Sequence, residues 1–198
     1  MHWSRTGLDP RLVFTEPAID LLGSAEDIAA QIWGVRMAGF AESYLGKLRV
    51  VVGDRLILMP GSRVVVEDQT GRILLQHRSD FGVWGVPGGA PEVGENLTAS
   101  LLRELKEETG LDATHATPFG FASDPAFETI TFPNGHMCQY FNLLYAVRQF
   151  EGLAVVGDDE SHAVGWFSPD ELPPMLPNMQ RTVDAYVRYK LSGEFQII

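Results

Sequence analysis

Cys138 is the one cysteine in this 198-residue chain. A single thiol closes no internal disulfide and builds no cysteine metal cage. Its ordinary place is the core, as a small hydrophobe. No run approaches the roughly 20 apolar residues that a membrane span needs, so no membrane partner is expected. Asp9 and Glu16 stand near the N-terminus, with no apolar stretch of the signal-peptide kind, so the expected compartment is cytoplasmic. Internal repeats and low-complexity segments are missing as well. Positive charge is scarce: 15 Lys and Arg face 26 Asp and Glu, for a formal net charge of −11. A protein that grips long nucleic acids needs a basic surface, so no nucleic acid partner is expected. Small phosphorylated molecules stay open, because a bound metal and a few arginines supply local positive charge.

What is present suits a folded domain with an appendage. Apolar residues make up 45% and charged residues 21%, which is ordinary for a globular protein. Residues 24–48 read as a helix, with Ser24 as N-cap and Ile28, Ile32, Trp33, Met37, Phe40, Tyr44 and Leu48 at rough helical spacing. A strand-like run from 48 to 58 follows, broken by a Gly53-Asp54 turn. Residues 63–67 and 72–78 read as two strands of a hairpin about Asp68-Gln69-Thr70-Gly71. A strand is expected over 114–123, then a hairpin of 128–132 with 139–148 about Pro133-Asn134-Gly135. Residues 162–167 read as a strand, 168–172 as the start of a short helix, and 179–191 as a terminal helix. The expected division is an N-terminal helical extension, 1–58, and a domain, 59–198. An apolar helix outside the core can bury itself across a two-fold axis, which opens the way to a homodimer.

The chemistry concentrates in residues 89–111. Gly89 is followed after five residues by Glu95, then after seven more by Arg103-Glu104-Leu105, Glu107-Glu108 and Gly110-Leu111. Leu97, Leu101, Leu102 and Leu105 fall at helical spacing and give a core face, with the glutamates on the other side. Asn96 or Thr98 can cap the start, and Gly110 suits a left-handed C-terminal position. Arg103 stands one turn before Glu107 and can hold its rotamer. Like charges so placed repel and weaken a helix unless a cation offsets them. Mg²⁺ is the usual offset, held by carboxylates together with substrate phosphates. Upstream, Val86-Pro87-Gly88-Gly89-Ala90-Pro91 cannot be helix, and its glycines let backbone approach a ligand closely.

This spacing resembles the signature of the Nudix (MutT-like) hydrolases, with every fixed position filled. The resemblance is strong in the box, looser over about 60–176, and says little about the first fifty residues. It implies an α/β fold, a mixed sheet in an α/β/α sandwich, here with the N-terminal extension added. It implies Mg²⁺ as cofactor, with Mn²⁺ as a substitute, and hydrolysis of a diphosphate linkage by in-line attack of water on phosphorus. By the same resemblance Glu107 and Glu108 are metal ligands, and Glu104 binds metal or acts as the base. The Gly89 carbonyl adds a ligand, while Glu95 and Arg103 support the geometry. A further acid from a late loop is expected, Glu160 first and Asp159 second; a solvated acidic turn is the alternative.

Among the remaining residues, Arg78 ends the strand before the glycine loop and can grip a diphosphate bidentately, or be a plain surface arginine. Gly88 and Gly89 offer backbone to the substrate. Trp84 serves either core packing or base stacking. Phe127, His136, Tyr140 and Phe141 can line a nucleoside pocket, although His136 also reads as an exposed turn residue. Family subgroups that act on NADH carry a Ser-Gln-Pro-Trp type of run after the box, and this chain has none. The expected substrate is a small-molecule nucleotide: a nucleoside diphosphate linked to another moiety, with ADP-ribose or a related sugar nucleotide favoured. The alternatives are a nucleoside triphosphate, a dinucleoside polyphosphate, or a nucleotide sensor that keeps the fold without turnover.

Overall fold

The computed structural model describes residues 12–13, 41–157 and 160–198. The short strand β1 (Leu12–Val13) precedes helix α1 (Tyr44–Val52) and the long strand β2 (Ile57–Val66). Then come β3 (Ile73–Arg78), β4 (Trp84–Gly85), β5 (Gly88–Gly89) and helix α2 (Leu97–Thr109). Strand β6 (Thr117–Ala122), the single turn α3 (Pro125–Glu128), β7 (Thr129–Thr131) and β8 (Met137–Val147) follow. Strand β9 (Ser161–Phe167), helix α4 (Pro177–Ser192) and β10 (Gln196–Ile197) close the chain. The helix expected over 24–48 lies outside the described residues up to position 40.

Two sheets form, ordered β10-β6-β8-β2-β5, with β7 beside β8, and β1-β9-β3-β4. β2 runs parallel to β8 from Ile57 opposite Cys138 to Val66 opposite Val147. Alternation along β2 sorts its side chains between two cores. Val64 and Val66 join Leu101 and Leu105 of α2, while Val65 joins Val183 and Tyr186 of α4. The result is a mixed sheet with helices on both faces, the expected α/β/α arrangement. Among the described residues no helix is long and apolar enough to cross a membrane.

Three local expectations change. The hairpin of 63–67 with 72–78 closes only at its turn. There Glu67 bridges Ile73, and Asp68 Oδ1 accepts the Thr70 and Arg72 N–H groups. Beyond it the strands part, because β2 pairs with Gly88 and Gly89 while β3 pairs with β9. The glycine loop thus enters between the sheets. The run 48–52 is helix, not strand, despite its valines. Leu45, Leu48 and Val52 pack on Ile57, Met59 and Cys138. Buried Arg49 fixes the exit by donating to the carbonyls of Gly53, Arg55 and Met137 and to Cys138 Sγ. Tertiary packing here overrides β propensity. Finally, residues 168–172 make a turn rather than a helix, with Glu171 N–H on the Ser168 carbonyl. The hairpin of β7 with β8 forms as expected, Thr131 opposite Met137.

Two buried polar networks lock the α4 face. Arg63 donates to both carboxylate oxygens of Glu128 at 3.0 and 2.5 Å and to Thr182 Oγ1 at 3.2 Å, and Asn142 Nδ2 donates to Glu128 at 3.0 Å. Just past the end of β2, Glu67 meets Lys190, Arg148 and the Tyr186 hydroxyl. Burial alone would raise the Glu67 carboxyl. The hydrogen bonds from Lys190 and Tyr186, with the charges of Lys190 and Arg148, outweigh it and hold it below its ordinary value. A depressed folded pKa means stabilisation present above the unfolded value of roughly 4.3 and lost as pH falls through the folded value. Glu67→Gln is therefore expected to destabilise by about 1–3 kcal/mol at pH 7, with the gap to the parent shrinking in acid. Urea midpoints at pH 7 and pH 3 check this; an equal gap at both would rule out a contribution from the charge.

Candidate active site

Helix α2 carries the box because its ends are well defined. Asn96 caps it, its side chain accepting the Ala99 N–H, and Gly110 terminates it in the left-handed conformation at φ 71°. Its packed stripe is Leu101, Leu105 and Glu108. Leu101 and Leu105 are fully buried and Glu108 is 2% exposed. The glutamates were expected on the side opposite the leucines, and for Glu108 that is corrected: it follows Leu105 by three residues and so shares its face. Glu107 is exposed and Glu104 half-buried.

A carboxylate inside a fold needs hydrogen-bond partners. Glu108 Oε1 accepts from Gln76 Nε2 at 2.9 Å, and Oε2 accepts the Gly88 N–H at 3.0 Å. Gln76 Oε1 in turn accepts from Ser161 Oγ at 2.8 Å. Burial pushes the Glu108 carboxyl well above its ordinary range. The charges of Glu104 and Glu160 push further, against the Gln76 hydrogen bond and the charge of Arg78. Glu104 rises to about 7, first through burial, with Glu107 and Glu160 adding and Arg103 opposing. Arg103 donates to Glu95 through Nε at 2.8 Å and Nη2 at 2.9 Å, and meets Glu104 at 3.0 Å and Glu107 at 2.9 Å. The Arg103 hydrogen bonds hold Glu95 down at about 2.

The glycines act through close approach. A Cβ on Gly88 would stand 2.3 Å from the Ser62 carbonyl oxygen, and one on Gly89 would stand 2.4 Å from Glu104 Cδ and 2.5 Å from its Oε1. The Glu104 carboxylate therefore lies directly against the Gly89 backbone. This cradle of hard oxygen donors fits a divalent cation of the Mg²⁺ kind, which takes one or two carboxylates and fills its shell with water and substrate phosphate. Among the described residues no three acidic, imidazole or thiol side chains enclose an ion by themselves. Glu107 is turned to Arg103, and Asp159 lies outside the described residues.

The other candidates are placed as follows. Glu160 lies within electrostatic reach of Glu104 and Glu108, and its carbonyl accepts the Ser79 N–H at 2.8 Å. Arg78 donates twice to Asp80, at 3.0 and 2.6 Å, so its fork is already engaged. Trp84 packs edge-on to Phe167 and His77 in the α4-side core. Phe127 lies under Arg181, 3.9 Å from its guanidinium. His136 sits in the β7–β8 turn with Asn134 and Asp54, and Tyr140 packs near Cys138. Hollows of about 250 Å³ beside His115 and Arg148, and about 80 Å³ beside Arg49 and Cys138, have no box residue in their lining. Sequence reasoning missed Gln76, Ser161 and Asp80. For Gln76 a signal exists: strand alternation puts it on the same face as Leu74, two residues before it.

The NUDIX domain family model matches residues 58–187, nearly two-thirds of the chain. The chain belongs to the Nudix family. It is a Nudix pyrophosphohydrolase, of a family whose members generally need a divalent cation. A candidate 8-oxo-dGTP diphosphatase of Bacillus subtilis is 30% identical over 127 residues, 64% of this chain and 78% of that protein. An ADP-ribose pyrophosphatase of Methanocaldococcus jannaschii is 28% identical over 140 residues, 69% of this chain and 78% of that protein. Among solved structures, a MutT Nudix hydrolase from Burkholderia pseudomallei superposes with TM-score 0.55 at 28% identity, over 65% of this chain and 97% of that one.

Gly89→Ala tests the cradle. The intruding methyl meets the movable end of Glu104, so the expected stability loss is under about 1 kcal/mol. Cation-dependent turnover is expected to fall about 10- to 100-fold as Glu104 is displaced. Thermal melts beside steady-state kinetics check both; parental turnover would remove Glu104 and Gly89 from the site.

Proposed function

We propose that the chain uses Mg²⁺ to hydrolyse the diphosphate linkage of a nucleoside diphosphate joined to another group, with ADP-ribose or a related sugar nucleotide as substrate. The observation that carries this reading is the Glu104 carboxylate lying on the Gly89 backbone one turn from buried Glu108. Glu104, Glu107, Glu108 and the Gly89 carbonyl would hold the cation, with Glu160 completing the set from the β9 side. When bound, Mg²⁺ neutralises diphosphate oxygens and lowers the pKa of bound water.

The chain's own groups do the rest. Gly88 and Gly89 bring backbone within reach of the diphosphate. Arg103 holds Glu104 and Glu107 in place, and Glu95 holds Arg103. Glu104, or another acid of the cluster, takes the proton from the attacking water. The water oxygen bonds to phosphorus, the anhydride P–O bond breaks, and the leaving phosphate keeps the electron pair. Arg78 serves the diphosphate only after parting from Asp80. The archaeal relative's name supports ADP-ribose, while the Bacillus relative's name favours a second reading, a nucleoside triphosphate.

The test is an Mg²⁺-dependent hydrolysis screen with products separated by chromatography. It covers ADP-ribose, sugar nucleotides, nucleoside triphosphates and dinucleoside polyphosphates. ADP-ribose or a sugar nucleotide is expected to be cleaved fastest, to nucleoside monophosphate and the partner phosphate. Glu107→Gln and Glu108→Gln are each expected to lose at least about 100-fold in kcat while staying folded, a loss typical of removing charge stabilisation. Preference for a triphosphate would shift the substrate to the second reading. Nucleotide binding with no turnover would make the protein a sensor.

A further inference from the structure

Helix α1 lies wholly upstream of the residues that match the family, yet it is wired to the box. Its first residue, Tyr44, donates its backbone N–H to both oxygens of the Glu92 carboxylate, at 3.1 and 3.0 Å. That N–H is one of the donors that a helix start leaves without an internal partner. Glu92 belongs to the loop between Gly89 and α2. Its own N–H donates to Glu95 Oε2 at 3.0 Å, and its carbonyl accepts the Glu95 N–H at 3.0 Å. Glu95 is the carboxylate that clamps Arg103, and Arg103 holds Glu104 and Glu107. A continuous chain of hydrogen bonds and ion pairs therefore runs from the start of α1 to two box carboxylates.

Packing follows the same route. Leu45, Leu48 and Val52 of α1 share a cluster with Ala90, the residue after Gly89. The far end of α1 is anchored by Arg49, whose guanidinium reaches four acceptors on the α1 exit and β8. Because both ends are held, α1 cannot shift without pulling on Glu92.

We propose that Glu92 is a positioning residue, through which helix α1 sets the glycine loop and the Glu95–Arg103 clamp for catalysis. On this reading the segment before the family domain is part of the working site rather than an attachment. The inference rests on the reading of Glu104 and Glu107 as site residues.

The decisive variant is Tyr44→Pro. It deletes the α1 N–H that Glu92 accepts. Proline suits the first helical position, and Ser43 at ψ 159° already has the extended backbone that a following proline requires. Tyr44→Ala keeps the N–H and controls for the lost ring. Tyr44→Pro and Glu92→Ala are each expected to lower kcat about fivefold with KM within about twofold of the parent, the size seen for coupling residues that touch no ligand. Glu92→Gln, which keeps an acceptor, is expected to stay within about twofold of the parent, and the double variant to be no worse than either single one. Amide hydrogen exchange at residues 92 and 95 is expected to speed up in Tyr44→Pro and not in Tyr44→Ala.

A lowered Tm with parental kinetics and parental exchange at 92 and 95 would reduce α1 to a packing element and overturn the proposal. Additive losses in the double variant, or equal losses in Tyr44→Ala and Tyr44→Pro, would overturn it too. If the parent turns over no substrate, the proposed function fails on its own, and the exchange measurement still decides the coupling.

Discussion

Everything at this site hangs on one carboxylate that has no water to face. Glu108 sits on the packed stripe of α2, and its two oxygens take a side-chain amide from β3 and a backbone amide from β5. Gln76 passes the constraint to Ser161 on β9. One short polar chain thus pins the helix, the glycine loop and the second sheet against each other. Leaving any of these donors or acceptors unmatched in the interior would cost roughly 1–3 kcal/mol, so the register of three elements is tied to a single residue. The place of β5 on the edge of β2 serves the same need, since there the Gly88 backbone brings its N–H to Glu108.

The opposite face is organised by a second buried charge. Arg63 and Glu128 are 4% and 2% exposed and are joined by Asn142 and Thr182. A buried pair of this kind adds little net stability, because desolvation consumes most of its attraction, but breaking it strands a charge. Its effect is to fix where α3 and the N-terminal part of α4 sit on β2 and β8. The N-terminal part of α4 also packs by Trp84 and Gly85, so the two buried networks hold the helices on either side of the sheet.

How much of this the sequence disclosed depends on the range of the interaction. The box was legible because its constraints are local: Asn96, Gly110, the leucine stripe and the Arg103 contact to Glu107 all act within a turn or two of α2. The burial of Glu108 was less so, although its spacing from Leu105 places it on the core face; the run of glutamates masked that. The helical state of Val50-Val51-Val52 was hidden because Arg49 reaches Met137 and Cys138, far along the chain. The parted β2–β3 hairpin was hidden for the same reason. Two strands joined by a good turn read as a hairpin until a third element competes for the edge. Arg78 illustrates the limit for single residues: its pairing with Asp80, two positions on, decides whether its fork is available, and charge alone does not say which acid it chooses.

The distribution of charge around Arg103 ties the box to the helix before the domain. One guanidinium contacts Glu95, Glu104 and Glu107, while Glu108 takes its hydrogen bonds from two neutral donors. Negative charge therefore exceeds positive within the box, and Glu160 adds to the excess felt at Glu104 and Glu108. Such a cluster repels itself and is held by its surroundings rather than by its own pairing. Glu95 is the point where that support enters, since it spends both oxygens on Arg103 and also accepts the Glu92 N–H. Glu92 then finds its own offset at the N-terminus of α1, where helix dipole and unpaired N–H favour an anion. The excess negative charge at one end of this chain of contacts is thus steadied at the other by a helix lying outside the residues that match the family.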